Sequence, residues 1–187
     1  MTVAGLAVIV CIGALIFWCM YTYNSFKEKQ ALIDFWWDEV DAHLHLRREL
    51  IPSLIDRARP VMGTQSGILD KISGIREEIV RELVGTDFLF EGHELEQSEN
   101  RLSTEIHSLK DAFRSHKEAQ LNPDLLTVMS ELESIEGRAV IACEEYNRLT
   151  GDFNSSIKSF PENLVVGLLQ FSPLEKRIFG EWNETAS

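Results

Sequence analysis

The feature that most constrains this chain is an uninterrupted apolar segment near its N-terminus. Residues 3–21 read VAGLAVIVCIGALIFWCMY, and no charged side chain occurs before Lys27. A helix of 19 residues with a rise of 1.5 Å per residue spans about 28 Å, close to the hydrocarbon thickness of a bilayer. Trp18, Tyr21 and Tyr23 lie where an interfacial aromatic cluster is expected. The sequence therefore predicts a single transmembrane anchor, with the lipid bilayer as the partner of residues 3–21.

Two other interpretations of this segment fit the sequence less well. A cleaved signal peptide has Lys or Arg before its apolar core and small residues at its cleavage site. This chain begins Met1-Thr2, and the segment ends in bulky side chains. A lipoprotein signal requires a small residue directly before the modified cysteine, whereas Cys11 follows a valine and Cys19 follows a tryptophan. An uncleaved span is therefore favoured.

The charge of the chain limits which partners it can bind, and the position of its basic residues predicts its orientation in the membrane. The net charge is −12, all of it after the apolar segment, so nucleic acid is excluded as an expected partner because its phosphates would be repelled. Lys27 and Lys29 follow the segment closely, and the positive-inside rule then predicts a cell (inner) membrane protein with a cytoplasmic domain. Cys11, Cys19 and Cys143 form no disulfide framework, which leaves the redox compartment open.

Beyond Asn24 the apolar residues recur at three- and four-residue spacings, which is typical of amphipathic helices. Pro52 predicts a kink or break near Leu50. Asn122 and Pro123 predict a helix start, because Asn caps helices well and Pro suits the first helical position. The predicted helices cover about 24–60, 66–84, 94–120 and 123–160.

These patterns contain no useful strand-like alternation, so the predicted fold class is all-α. It consists of an N-terminal single transmembrane helix followed by an antiparallel up-down bundle of about four long helices, a coiled-coil type of packing. The predicted domains are the anchor 1–23, the bundle 24–160 and an amphipathic tail 161–187. The tail, with Trp182, either seals the end of the bundle or contacts the bilayer interface, and the apolar loop Phe88-Leu89-Phe90 is expected on the same side.

The search for reactive groups predicts no catalytic, cofactor-binding or metal-binding residue. The five histidines form no zinc-type constellation, and none follows a Glu at the spacing of a di-iron bundle. Nucleophiles lack an arranged base, and no small-molecule substrate is evident. The histidines are His43, His45, His93, His107 and His116.

Two clusters have alternative interpretations. Arg47 and Arg48 could bind an anion, but the favoured interpretation is that they pair with neighbours such as Glu49 on the bundle surface. The run Phe35-Trp36-Trp37 is interpreted mainly as core and groove packing, with a partner-binding role for whichever Trp faces outward.

Two stretches together resemble one family. The first runs from Tyr23-Asn24 through Trp37-Asp38-Glu39-Val40-Asp41 to Arg47 and Leu50-Ile51-Pro52-Ser53-Leu54, and it is similar to the opening of the LemA family. The second contains Glu131-Leu132, Glu136, Ala142, Tyr146-Asn147, Phe153-Asn154, Ile157, Phe160-Pro161-Glu162-Asn163 and Phe171. Departures include Cys143 after Ala142 and Phe153 in place of a tyrosine, which indicates a diverged member. The resemblance implies a single-pass membrane protein with a helical bundle and no established enzymatic activity.

The expected function is that of a non-catalytic interaction or scaffold module anchored at the membrane. Its partner is expected to be another protein or a second copy of the chain. The alternative is a regulatory subunit of a membrane enzyme such as a membrane protease. An enzyme in its own right is not expected, because the sequence lacks a reactive cluster.

Overall fold

The computed structural model describes residues 3–63, 66–85, 92–169 and 171–177, and within these residues all regular secondary structure is helical. This confirms the all-α prediction. The apolar loop at 88–90 and the tail beyond 177, including Trp182, lie outside the described residues. The helices are α1 Val3–Met62, α2 Ser66–Gly85, α3 Gly92–Ser115, α4 Lys117–Gln120, α5 Pro123–Lys158 and α6 Glu162–Leu169.

The first helix is a single element of 60 residues that joins the apolar segment to the first helix of the bundle. Of the kink or break predicted near Leu50, the break is wrong, since α1 continues through Pro52 and Pro60. The kink stays a prediction. Pro52 has no N–H, so the carbonyl of Arg48 loses its usual partner four residues along. The Nε of Arg76 on α2 donates a hydrogen bond of 2.8 Å to that carbonyl. A side chain thus replaces the missing backbone donor, and the helix continues.

Backbone and capping groups mark where the other helices begin and end. Gly63, directly after α1, has φ +45°, a left-handed conformation that glycine adopts without steric cost at a helix end. The predicted third helix is interrupted at His116, whose backbone is extended (φ −104°, ψ 101°). The predicted start of α5 is confirmed, because Asn122 Oδ1 accepts hydrogen bonds from the N–H groups of Asp124 and Leu125, both at 3.1 Å.

The chain divides into two compact units. The first unit comprises Met1–Asp38 and Glu144–Lys176, and the second comprises Glu39–Cys143 and Arg177–Ser187, as far as these residues are described. Helices α1 and α5 therefore contribute to both units. The domain boundaries predicted at 23 and 160 stay predictions.

The core of the first unit is largely aromatic. Phe26 of α1 meets Phe153 of α5 edge to face, with ring centroids 5.6 Å apart, and Trp37 lies 5.4 Å from Tyr146. Increasing numbers on α1 thus match decreasing numbers on α5, so the two helices are antiparallel here. The other buried members of this core are Ile33, Ile157 and Val166.

The second unit has an aliphatic core supplied by α1 to α5. Arg59 of α1 pairs with Asp70 of α2 at 2.9 Å, while Arg76 of α2 reaches back to Arg48. This order makes α1 and α2 antiparallel, as expected for helices joined by a short connection. Buried residues of this core include Ile51, Leu54, Met62, Leu69, Ile72, Ile79, Leu102, Ile106, Leu109, Leu125 and Leu132.

Candidate functional site

A network of charged side chains lies inside the second unit. Arg47 and Arg48 of α1 both donate to Glu99 of α3, each to a different carboxylate oxygen. Arg47 also donates to the hydroxyl of Ser103 at 2.8 Å, and its Nη1 lies 4.0 Å from Glu136 Oε1 on α5. One guanidinium group thus contacts acceptors on two other helices.

The network is buried and includes a fourth ion pair. Glu99 is 0% exposed and Arg47 is 1% exposed, and Lys110 of α3 pairs with the second oxygen of Glu136. The expectation that the two arginines pair with Glu49 on the surface is wrong. Glu49 instead lies 3.7 Å from the exposed ring of His45. The reason is position, since Arg47 falls on the apolar side of α1 and Glu49 does not.

Sequence reasoning did not identify Glu99 or Glu136 as partners, although the pattern contains a signal. Glu99 follows Leu95 by four residues and precedes Leu102 by three, so it occupies a core position of α3. Glu136 has the same relation to Leu132 and Ala139 on α5. A charged residue on an apolar stripe requires a charged partner when buried. Three such residues on three helices therefore indicate that buried charged partners exist, without identifying which residues pair.

The carboxylates of this network are engaged by basic side chains of the same chain. Both oxygens of Glu99 are occupied by arginine donors, and Glu136 is held by Lys110 and Arg47. Among the described residues, no group of three or more His, Cys, Asp or Glu side chains could hold a metal ion. The arrangement joins α1, α3 and α5 inside the second unit.

In the first unit, two side chains of α5 bind the extended segment that follows α6. Asn154 donates from Nδ2 to the carbonyl of Leu174 at 2.7 Å and accepts at Oδ1 from the Leu174 N–H at 2.8 Å. The hydroxyl of Tyr146 donates to the carbonyl of Glu175 at 3.0 Å. Because these contacts satisfy backbone groups, they do not depend on which side chains the segment has. Tyr146 and Asn154 are thus positioned as a clamp for this part of the chain.

Phe171, in the clamped segment, extends the aromatic core. Its ring lies 5.2 Å from that of Phe26 and 6.0 Å from that of Tyr23. Lys27 Nζ lies 5.8 Å from the centroid of the Phe171 ring, within cation–π range. This part of the predicted tail therefore packs on the bundle. The packing agrees with the interpretation that the tail seals the end of the bundle.

The aromatic run of α1 is only partly as predicted. Trp36 and Trp37 are half-buried and pack against the core of the first unit. The outward-facing residue is Phe35, which is exposed together with Leu32, one helical turn earlier. The candidate partner-binding side chain is therefore a phenylalanine and neither of the tryptophans. The cause is the helical period, which turns position 35 away from the stripe that contains 33, 36 and 37.

The surface of the second unit has an open groove of about 630 Å³ between α2 and α3, beside Gly74. Two ion pairs flank it, Lys71 with Glu105 at 3.4 Å and Arg101 with Glu78 at 3.1 Å. In the first unit, the exposed Arg148 donates a hydrogen bond of 2.7 Å to Glu145. That hydrogen bond is the main cause of a raised pKa for Arg148. Exposed pairs of this kind contribute little to stability.

The fold defines an all-α bundle protein in which one described helix, α1, is long and apolar enough to cross a membrane, as judged by length and composition. The model of the LemA family matches residues 36–186, so the chain belongs to the LemA family. This confirms the resemblance found in the sequence. No curated protein matches the chain.

Proposed function

We propose that the protein is a single-pass, membrane-anchored and non-catalytic interaction module, whose bundle presents a protein-binding surface beside the bilayer. The observation behind this proposal is the change of environment along α1. From Val3 to Phe17 its large apolar side chains are exposed, while from Phe26 onward its apolar stripe forms the cores of both units. An exposed apolar helix surface of that length requires an apolar environment, which a bilayer supplies.

The network of buried ion pairs supports a non-catalytic role. A catalytic carboxylate or base needs access to its substrate, whereas the carboxylates of Glu99 and Glu136 are buried and occupied by basic groups. The polar groups of Tyr146 and Asn154 are likewise engaged with the backbone of the same chain. The strongest polar constellations of the described chain are thus used for folding.

The partner is another protein or a second copy of the chain, bound through Leu32 and Phe35. These side chains are exposed on one face of α1, one turn apart. Phe35 meets Trp36 edge to face with centroids 5.5 Å apart, so a rigid aromatic surface is presented to solvent. Aromatic side chains of this kind supply much of the energy at protein interfaces.

The bundle lies on the cytoplasmic side of the cell membrane in this proposal. Lys27 and Lys29 are exposed directly after the apolar segment, and basic residues at that position are retained on the cytoplasmic side. A cysteine introduced at Glu144, which is exposed, tests this orientation. In intact cells it should resist a membrane-impermeant maleimide and should react after permeabilisation. Equal labelling before and after permeabilisation would contradict the orientation.

Site-specific photo-crosslinking tests the interaction surface. A benzoyl-phenylalanine replaces Phe35 in the full-length protein in native membranes, and a matched control carries it at Ile141, an exposed apolar position of α5. We expect an adduct at position 35 that is absent at position 141. An adduct of twice the chain mass identifies self-association, and a stoichiometric catalytic partner identifies a regulatory subunit. Equal or absent adducts at both positions would contradict Leu32 and Phe35 as the binding surface.

A further inference from the structure

The segment after α5 presents apolar side chains on one side and packs on the other. Phe160 is 80% exposed and Leu164, in α6, is 64% exposed, whereas Val166 is 7% exposed and belongs to the core of the first unit. α6 is therefore fixed to the bundle by one side while another side has no cover within the described residues. An exposed apolar surface on a fixed helix indicates a binding site for an apolar partner.

The antiparallel packing of α1 and α5 places this surface at a definite level along α1. Phe153 lies beside Phe26, and Tyr146 lies beside Trp37. Both helices advance by about 1.5 Å per residue in opposite directions. The end of α5 at Lys158 lies five residues beyond Phe153 and 12 beyond Tyr146. It therefore comes level with about residues 21–25 of α1, at or just after the end of the apolar segment, since the rises match. Phe160 and α6 follow the end of α5 in the chain and therefore begin near this level.

The burial of α1 agrees with this placement. Thr22 is buried, and Trp18 and Cys19 are half-buried, whereas Phe17 and Tyr21 in the same two turns are exposed. One side of the last turns of the apolar segment is thus covered by protein, and its other side is open. α6 follows α5 in the chain, so Phe160 and Leu164 add exposed apolar side chains near the end of the segment.

We propose that Phe160 and Leu164 form a second membrane contact, in which α6 lies in the interfacial layer of the bilayer beside the end of the span. The proposal rests on the proposed function, because it needs the apolar segment to be in the membrane. The first unit is thereby held to the bilayer at two points, the end of the span and α6. Its orientation relative to the membrane is then fixed, which a single flexible anchor would not achieve.

Apolar burial drives this contact, because the nearby charges are mixed. Lys27, Lys29 and Lys158 are exposed at this level, but Glu28 and Glu162 lie among them. Lys27 Nζ is additionally 6.0 Å from the centroid of the Tyr23 ring, and Lys29 donates to Ser156 Oγ at 2.9 Å. Membrane contacts of basic helices strengthen with anionic lipid. The contact of α6 should therefore form equally well on zwitterionic phosphatidylcholine.

Spin labels on the full-length protein in phosphatidylcholine vesicles test the proposal. Cys11 and Cys19 are replaced by Ala, and Cys143 is retained because it is buried, with the labelling stoichiometry checked by mass spectrometry. Single cysteines then replace Leu164, Val10 in the apolar segment, or Glu144. Glu144 is exposed and lies two residues before Tyr146, so it is about 24 Å from the end of the segment along the helix, given the rise per residue.

Electron paramagnetic resonance measures how often each spin label collides with oxygen, which concentrates in lipid, and with a water-soluble nickel chelate. The ratio of the oxygen collision rate to the nickel collision rate reports whether the label lies in lipid or in water. We expect the ratio for L164C to shift toward that of V10C and away from that of E144C, with no change when phosphatidylserine is added. If V10C reports lipid while L164C matches E144C, α6 is in water and the second contact is overturned, although the anchor stands. If V10C itself reports water, the anchor and therefore the proposed function fail as well.

Discussion

At the residue scale, the most unusual feature of this chain is a set of charged side chains buried in the core of the second unit. Arg47, Arg48 and Lys110 face Glu99 and Glu136, so three basic groups surround two acidic ones. Burying ions is costly, and a buried pair often contributes less to stability than apolar side chains of the same volume. We infer that its effect is on specificity, because any register that separates these residues leaves a charge unpaired inside the core.

Removal of Glu99 should be far more harmful than removal of a surface acid. In Glu99→Ala both arginines keep their charge in the core without that carboxylate, and breaking a buried pair typically costs about 3–5 kcal/mol. Urea unfolding followed by far-UV circular dichroism in detergent measures the free energy of unfolding. Glu145→Ala is the matched control, because its exposed pair with Arg148 should contribute little to stability. Similar losses in the two variants would contradict the buried network.

The hydrogen bond from Arg76 to the Arg48 carbonyl gives a second test at this scale. Arg76→Ala should destabilise the protein by about 1–3 kcal/mol, because it leaves a carbonyl without its donor. In a Pro52→Ala background the new N–H of residue 52 can donate to the same carbonyl. The loss caused by Arg76→Ala should then be smaller, and a double-mutant cycle of unfolding free energies measures the difference. An equal loss in both backgrounds would show that Arg76 acts in some other way.

At the scale of elements, the sequence predicts features that depend on neighbours in the chain and misses those that depend on distant residues. The start of α5 is predictable because Asn122, Pro123 and Asp124 act within one turn. The continuity of α1 through Pro52 is not, since it depends on Arg76, 24 positions further along. The extended backbone of His116 has no proline or glycine beside it to indicate an interruption.

The cap of α5 gives a test at the element scale. Asn122→Ala removes the acceptor of two backbone N–H groups at the helix start, which typically costs about 1 kcal/mol. Asn122→Asp keeps an acceptor oxygen at the same position and should stay within a few tenths of the wild-type value, since the two residues cap about equally well. Thermal unfolding of both variants in detergent measures this. Equal destabilisation by Ala and Asp would mean that the amide N–H₂ of Asn122, and not its oxygen, is required.

At the scale of the whole molecule, the fold class and the apolar segment could be predicted, but the construction of the two cores could not. Periodicity identifies which side of each helix is buried. It does not identify which helices meet, and so the pairing of Arg47 with Glu99 stays hidden although both residues lie on predicted helices. The clamp of Asn154 on Leu174 is hidden for a further reason. Asn154 binds the backbone of Leu174, and a backbone contact imposes no side-chain pattern that could be recognised in the sequence.

In the proposed function the apolar segment anchors the whole molecule in the membrane, so its insertion should be sensitive to added charge. Ile12→Arg with Ala14→Arg places two charges near the middle of residues 3–21. Each arginine at the centre of a span costs about 2.5–3.5 kcal/mol on the insertion scale. Both positions are exposed, so the cores of the two units should be unaffected and the variant should keep its helical circular dichroism.

An alkaline-carbonate wash of membranes measures the outcome. The native protein should stay in the pellet and the double variant should be released, because carbonate removes peripheral proteins and leaves inserted helices in place. The matched control is Leu121→Arg with Leu126→Arg, two exposed leucines of the second unit that lie outside the apolar segment. This control should stay in the pellet, since the anchor is intact. Release of the native protein, or retention of Ile12→Arg with Ala14→Arg, would show that residues 3–21 do not hold the molecule in the bilayer.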